Sequence, residues 1–376
     1  MITKRIEIVD SGVLYANPFP ADWAINAYYS RIIEIRPGEL LCVYRRAQAM
    51  YGNDGRSWLL RSTDGGKTWI DEGCLWDGSQ DERSYSYAAT NLTRMTDGQI
   101  VILGHRFYRP KPDMPMYNAA TGGHLPEQAV LFRSRDDGHT WSKPQVIEKP
   151  DDHLILYDSI TELDGGRWFT TCDWDNEYDD PTPLPSHVSA LFSDDGGVTW
   201  GDRVQLTGGP REDIGFWHTR VTKLADGRLV GFPWAGANDG TEFHTLHRIE
   251  GTPDGLSWSE PKATTLRAQT NRPADMEDGY LALVMSVRES EQPGIYVALS
   301  DDEGYTWDTD NWVQVWDAYG QDSIGAPRTA TYPAGHDTIA FGAPDVIRLS
   351  DGDLMASFWA GQQGQMVVRW CRLKMR

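Results

Sequence analysis

Cysteine is scarce in this 376-residue sequence: there are four, at Cys42, Cys74, Cys172 and Cys371, with no tight ligand spacing among them. Cys42 and Cys371 fall in apolar stretches and read as buried thiols. Positive charge is short as well. Lys and Arg number 35 against 55 Asp and Glu, a formal net charge of −20. That balance argues against nucleic acid or a membrane surface as partner. It leaves the ligand open, because a basic pocket can sit inside an acidic shell. No apolar run is long enough to span a bilayer, and Met1-Ile-Thr-Lys-Arg leads directly into a strand-like segment. The expectation is a cytoplasmic protein, or a secreted or periplasmic one had a signal peptide been removed. A sustained 3.6-residue apolar period is also missing, so a long helix has no clear place.

What is abundant is glycine and tryptophan, 37 and 16 residues, and they recur in register. Ser62-Thr-Asp64-Gly-Gly66-Lys-Thr-Trp69 returns as Ser134 to Trp141, Ser193 to Trp200 and Ser300 to Trp307, with a worn copy from Gly251 to Trp258. The serine and aspartate can bond backbone N–H groups of their own turn, the glycine permits a positive φ, and the tryptophan can fold back over the turn. Apolar strand-like residues precede each box. A fixed spacing of this kind is a structural repeat, and its residues are scaffold.

A second repeat interleaves with the first. Hairpins centred on Gly38, Gly98, Gly165, Gly227, Gly279 and Gly352 each follow one strand-like segment and precede another. Six hairpins and five boxes make six four-stranded units: an all-β, six-bladed β-propeller with Asp-box repeats, filling residues 1–376 as one domain. The sixth unit lacks a box, so Ile2 to Val9 is expected to close the ring against Met366 to Leu373.

Strand alternation puts hairpins and boxes on one rim. The opposite rim carries the longer polar and aromatic loops, about 45–57, 105–128, 173–187, 234–243, 287–294 and 359–365, where function is expected. Seven residues before each hairpin glycine stand Arg31, Asn91, Asp158, Arg220, Arg272 and Asp345. All are polar and belong at the mouth of the channel. At or just beyond the ends of the second strands come Arg46, His105, Arg106, Asp173, Trp234, Arg288 and Trp359. Aromatic faces that stack on sugar rings, mixed with charges that orient them, suit a carbohydrate. The competing reading for each residue is an inter-blade salt bridge or a strand cap.

The boxes and the blade count resemble the sialidase (neuraminidase) superfamily over nearly the whole chain. The resemblance implies a carbohydrate substrate and an exo-acting glycoside hydrolase without a cofactor or metal. The family's first-blade Arg-Ile-Pro, whose arginine helps grip the sialic-acid carboxylate, corresponds to Tyr28-Tyr29-Ser30, with Arg31 three residues on. An ordinary sialoside is therefore not the expected substrate. The family's Glu-x-Arg looks like Tyr44-Arg45-Arg46, its acid/base aspartate looks like Asp54, and Arg288 resembles another triad arginine. The nucleophilic tyrosine has only Tyr319 and Tyr332 as candidates.

On this reading Asp54 is the proton donor, with Asp158 and Asp345 as alternatives. Arg220, Arg272 and Arg288 orient the sugar. His218 is one of several histidines near the loop rim, with His105, His124, His187, His244 and His247, which together suggest proton transfer. Some relatives of this fold are polysaccharide lyases or unusual rhamnosidases using His, Tyr and Arg, which keeps uronate chemistry open. A non-catalytic glycan-binding propeller is the third alternative. The acidic run Asp173 to Asp180 could hold calcium, although a solvated acidic loop is the plainer expectation. The sequence does not specify an oligomeric state.

Overall fold

The computed structural model describes residues 4–182, 186–208, 214–237, 242–319 and 340–376. The apolar segments pair antiparallel into six blades around a central channel. Blade 1 is built from Asn26–Arg36, Glu39–Ala47, Arg56–Ser62 and Ile70–Cys74, in that order from the channel outward. Blade 2 runs from Tyr85–Arg94 to Gln145–Val146, and blade 5 from Asn271–Asp275 to Val313–Asp317, with the same order. First strands of neighbouring blades lie beside one another around the channel.

Blade 6 takes its outer strand from the other end of the chain. Ile6–Tyr15 pairs antiparallel with Gln365–Met375, Ile6 opposite Met375 and Tyr15 opposite Val368. The closing segment therefore reaches further along the chain than the expected Ile2 to Val9.

Six apolar clusters hold the blades together, one at each seam. The seam between blades 1 and 2, for example, interleaves Ile33, Leu41 and Val43 with Tyr87, Ile100 and Ile102. Because both faces of a blade are covered, the second strands are buried almost throughout. In Leu281–Val287 every residue is buried. This explains their continuous apolar runs, which lack the alternation of a half-solvated strand.

The boxes close the turns between third and fourth strands. Ser62 Oγ accepts from Gly66 N–H at 2.9 Å, and Asp64 accepts from the Thr68 N–H at 2.9 Å and hydroxyl at 2.6 Å. Trp69 donates its indole N–H to the Gly66 carbonyl at 2.9 Å. These bonds to the charged form pull the Asp64 carboxyl down to about 2, and the same happens at Asp136 and Asp195. Gly66 has φ +93°, a backbone conformation that favours glycine, and a Cβ there would press on the Met355 Cε methyl of blade 6 at 2.8 Å. The worn copy has a steric cause: a Cβ at Gly251, the serine position, would lie 2.7 Å from the Trp258 ring. Gly65 N–H donates to the Gly38 carbonyl at 2.9 Å, which places box and hairpin of blade 1 on the same rim.

Candidate active site at the loop rim

The six residues seven positions before the hairpin glycines stand at the channel, and most of them bond to one another. Arg31 Nη1 meets Asp345 Oδ1 at 2.5 Å, and Arg31 Nε donates to Asn91 Oδ1 at 3.1 Å. Arg272 bonds Asp158 and also reaches Asp345 at 3.3 Å. Asp158 accepts in addition from the N–H groups of Ser159 and Val221, at 2.6 and 3.0 Å. Asp158 is 1% and Asp345 4% exposed. Both carboxylates are thus committed to a buried ring, which removes the freedom a proton donor to an incoming substrate needs.

The ring holds three guanidinium groups and two carboxylates. Arg220 is the odd one: its guanidinium donates to the Pro344 carbonyl and has no carboxylate partner within salt-bridge distance among the described residues. Burial, reinforced by Arg31, brings its pKa down to about 9.

The strand is bulged or broken immediately before most of these positions. Register shifts occur between Tyr28 and Arg31, between Ala89 and Asn91, and between Gly342 and Asp345. In blades 3 and 4 the first strand splits in two, around Tyr157 to Ile160 and around His218 to Arg220. Tyr29 and His218, each two residues before a ring arginine, sit at φ +54° and +50°. Left-handed backbone is a strained state for such side chains and recurs where function requires an aimed group.

What the bulges aim at the mouth is a belt crossing blades 1 to 4. Tyr29 is hydrogen-bonded to Tyr51, and the Tyr51 and Tyr117 rings meet edge-on at 4.9 Å. Tyr117 lies 6.3 Å from the His124 ring. His124 Nε2 is 3.8 Å from Asp175 Oδ2, and Tyr157 donates its hydroxyl to that oxygen at 3.3 Å. Tyr157 packs 4.4 Å from His218, and His218 lies 5.8 Å from Trp234. Asp173 Oδ2 accepts from the His218 backbone N–H at 2.8 Å and lies 3.0 Å from its Nδ1. Among the described residues, His124 Nε2, Asp173 Oδ1 and the Trp234 and Trp359 indole N–H groups are buried without a hydrogen-bond partner. Such a concentration of unsatisfied polar atoms suits a surface that meets a hydroxylated ligand.

Several sequence-derived candidates lie elsewhere. His105 is spent at the seam of blades 2 and 3, with Nδ1 2.5 Å from Glu127 and Nε2 2.6 Å from the Leu156 carbonyl; Lys149 completes the cluster at 2.7 Å from Glu127. Arg106 pairs with Glu82 and Gln128 and covers the Tyr85 ring. Arg46 lies between the Tyr15 and Trp58 rings and pairs with Asp71. These three are inter-strand and inter-blade staples, each engaged by a carboxylate partner.

Trp359 lies inside the strand Leu354–Gln362, 2% exposed, against Tyr28 and Tyr29. The expected loop at 359–365 is a two-residue reversal between Gln362 and Gln365. Arg288 lies over Gly342 and donates to the Phe341 carbonyl at 3.3 Å, near Tyr29. Asp54 is exposed and accepts from the Gln48 N–H at 2.9 Å, so it fastens its own loop. That loop hangs from two buried arginines. Arg45 donates to the Gly52 and Tyr87 carbonyls and Arg109 to the Tyr51 carbonyl. Tyr319 is exposed, and Tyr332 lies outside the described residues.

The acidic run differs from a solvated loop, because Asp173 and Asp175 turn inward. Asp175, Tyr157, Tyr51 and Tyr117 escaped the strand count. The available signal was the position nine before each hairpin glycine, which gives Tyr29 and His218 together.

The BNR repeat-like domain family matches residues 116–354. No curated protein matches the sequence. Among solved structures the chain is similar to a Dyadobacter fermentans protein of unknown function, at 18% identity over 99% of both chains with a TM-score of 0.73. It is similar to the intramolecular trans-sialidase from Ruminococcus gnavus, at 12% identity over 92% of this chain and 94% of that one, TM-score 0.61. A Hadza microbial sialidase aligns at 16% identity over 92% of this chain and 65% of that one, TM-score 0.62. At such identities the likeness concerns the fold. The chain belongs to the BNR repeat-like domain family and has the six-bladed propeller fold of the sialidase superfamily.

Proposed function

We propose that this protein is a carbohydrate-active enzyme, a glycoside hydrolase working at the loop-rim mouth on a glycan other than an ordinary α-sialoside. The observation that carries the reading is His218: a strained, half-exposed imidazole set 3.0 Å from the buried Asp173 carboxylate and flanked by Tyr157 and Trp234. An imidazole paired with a carboxylate can take a proton from water as the resulting imidazolium is stabilised. The water oxygen would attack the anomeric carbon while a carboxylic acid protonates the departing oxygen. The aromatic belt offers faces for sugar rings, and Arg288 and Arg220 offer positive charge to an acidic substituent. Tyr28-Tyr29-Ser30 stands in the register of the superfamily's Arg-Ile-Pro, so the arginine that helps grip a sialic-acid carboxylate is missing there, which favours a glycan other than a sialoside.

The experiment is a panel of aryl glycosides and acidic oligosaccharides, with an α-sialoside included. Turnover of a non-sialoside, reduced ~10²–10⁴-fold by His218→Ala, is the expected result. Binding without product at any pH would favour a glycan-binding module, and rapid release of free sialic acid would overturn the substrate assignment. One observation favours a second chemistry. Tyr157 and His218, 4.4 Å apart, could abstract a uronate C5 proton and eliminate the C4 substituent. That product carries an unsaturated uronate absorbing near ~235 nm, whereas hydrolysis leaves a reducing end without it.

A further inference from the structure

Asp175 stands just beyond the strand Trp168–Trp174, two residues after Asp173. Its backbone N–H still donates to the His153 carbonyl at 2.9 Å, so the extended pairing continues and both carboxyls face the mouth side. Their surroundings differ. Asp173 has His218 beside it, 3.0 Å away. Asp175 lies against the Tyr157 hydroxyl, at 3.3 Å, and among the described residues it has no arginine or lysine among its ion-pair contacts. The remaining group facing it is His124, whose Nδ1 lies 2.7 Å from the Leu125 carbonyl. That carbonyl can only accept, so Nδ1 carries the proton. Nε2 of a neutral ring is then a lone pair, 3.8 Å from Asp175 and, among the described residues, without another hydrogen-bond partner.

Burial raises the Asp175 carboxyl above its ordinary range; His124 and His218 oppose this, and the Asp173 carboxylate adds to it. Two carboxyls side by side with different neighbours, one of them raised by burial, are the arrangement in which acid and base roles separate. Asp54 lacks this environment: it is exposed and already bonded to its own loop.

We propose that Asp175 is the proton donor of this site, acting beside Asp173 and His218, whose imidazole accepts the proton of the attacking water. The inference rests on the hydrolytic reading above. In the reaction the C1–O bond breaks and the departing oxygen takes the Asp175 proton. A water oxygen bonds to C1, and its proton passes to His218. Return of that proton to Asp175 restores the starting state, and the net change is one water consumed. Tyr157 and His124 position the carboxyl, and burial together with the Asp173 carboxylate favours its protonated form.

The test compares Asp175→Asn and Asp54→Asn on one glycon turned over by the wild type, attached to a good leaving group (2,4-dinitrophenol) and to a poor one (methanol). A donor is needed only for the poor leaving group. Asp175→Asn is expected to lose ~10²–10⁴-fold on the methyl glycoside and less than about tenfold on the dinitrophenyl glycoside, with Asp54→Asn lacking this asymmetry. Equal losses on both substrates for Asp175→Asn, or the asymmetry appearing in Asp54→Asn, would overturn the assignment. A carbon-13 carboxyl titration of the wild-type protein needs neither turnover nor a folded variant. Asp175 is expected to titrate above 3.8, the ordinary aspartate value, and titration at or below it refutes the proposal. Failure of every glycon in the panel would refute the hydrolytic reading itself, while the titration still judges Asp175.

Discussion

Arg31 of blade 1 and Asp345 of blade 6 meet at 2.5 Å across the seam where the two ends of the chain close the ring. Both side chains are nearly inaccessible, and Asp345 also receives Arg272 of blade 5. A buried carboxylate shared by two guanidinium groups is costly to break from one side. Asp345→Asn is expected to destabilise the protein by about 3–5 kcal/mol, as measured by denaturant unfolding followed through tryptophan fluorescence. A loss under ~1 kcal/mol would mean that the channel ring behaves like a surface pair.

Arg220 should respond in the opposite sense. It is the third cation in a ring with two anions, and burial holds its pKa down to about 9. Arg220→Gln removes a buried charge that lacks a directly bonded carboxylate among the described residues, while keeping a donor for the Pro344 carbonyl. The melting temperature is expected to stay level or rise, and a marked fall would show that Arg220 is paired in solution.

The boxes set the acid limit of the fold. Asp64, Asp136 and Asp195 have carboxyls near 2 in the folded chain against 3.8 as the ordinary value. A depressed carboxyl contributes stability that is present above 3.8 and lost as pH falls toward 2. The melting temperature should therefore drop steeply between about pH 4 and pH 2, and less steeply in Asp64→Asn. Calorimetry across that range checks both curves; parallel curves would remove the box from the effect.

Closure by the first strand can be tested by deleting residues 1–15. The deletion exposes the pairing edge of Gln365–Met375 and one face of the cluster containing Ile6 and Leu373. Exposed strand edges promote association. The truncated chain is expected to aggregate or to unfold at lower denaturant, and size-exclusion chromatography with an unfolding curve shows which. A monomer with wild-type stability would mean that the ring closes without this strand.

All four thiols are free, and Cys42, Cys172 and Cys371 are buried. Burial raises all three, Cys172 and Cys371 to about 12. A colorimetric thiol reagent at pH 8 should reach at most the half-buried Cys74 in the native protein and all four after denaturation. Rapid labelling of more than one native thiol would contradict this packing.

The repeat pattern alone determined the architecture. Ser62, Asp64, Gly66 and Trp69 satisfy their own turn, so the box reads locally, and a hairpin glycine at a fixed distance locates each first strand. Counting from those glycines found the channel ring, Arg31 through Asp345, because strand periodicity carries a side chain's face over seven residues. What the sequence withheld was which polar residues are consumed by partners. His105, Arg106 and Arg46 have the composition of a sugar site, yet Glu127, Glu82 and Asp71, 22, 24 and 25 residues away, occupy them. Bulges before Arg31 and Arg220 re-aim Tyr29 and His218, and a strand count in steps of two cannot register an inserted residue. The meeting of His124, Tyr157, Asp175 and His218 needed three blades brought together. Side chains on different blades become neighbours only when the ring is closed, and that arrangement belongs to the tertiary structure.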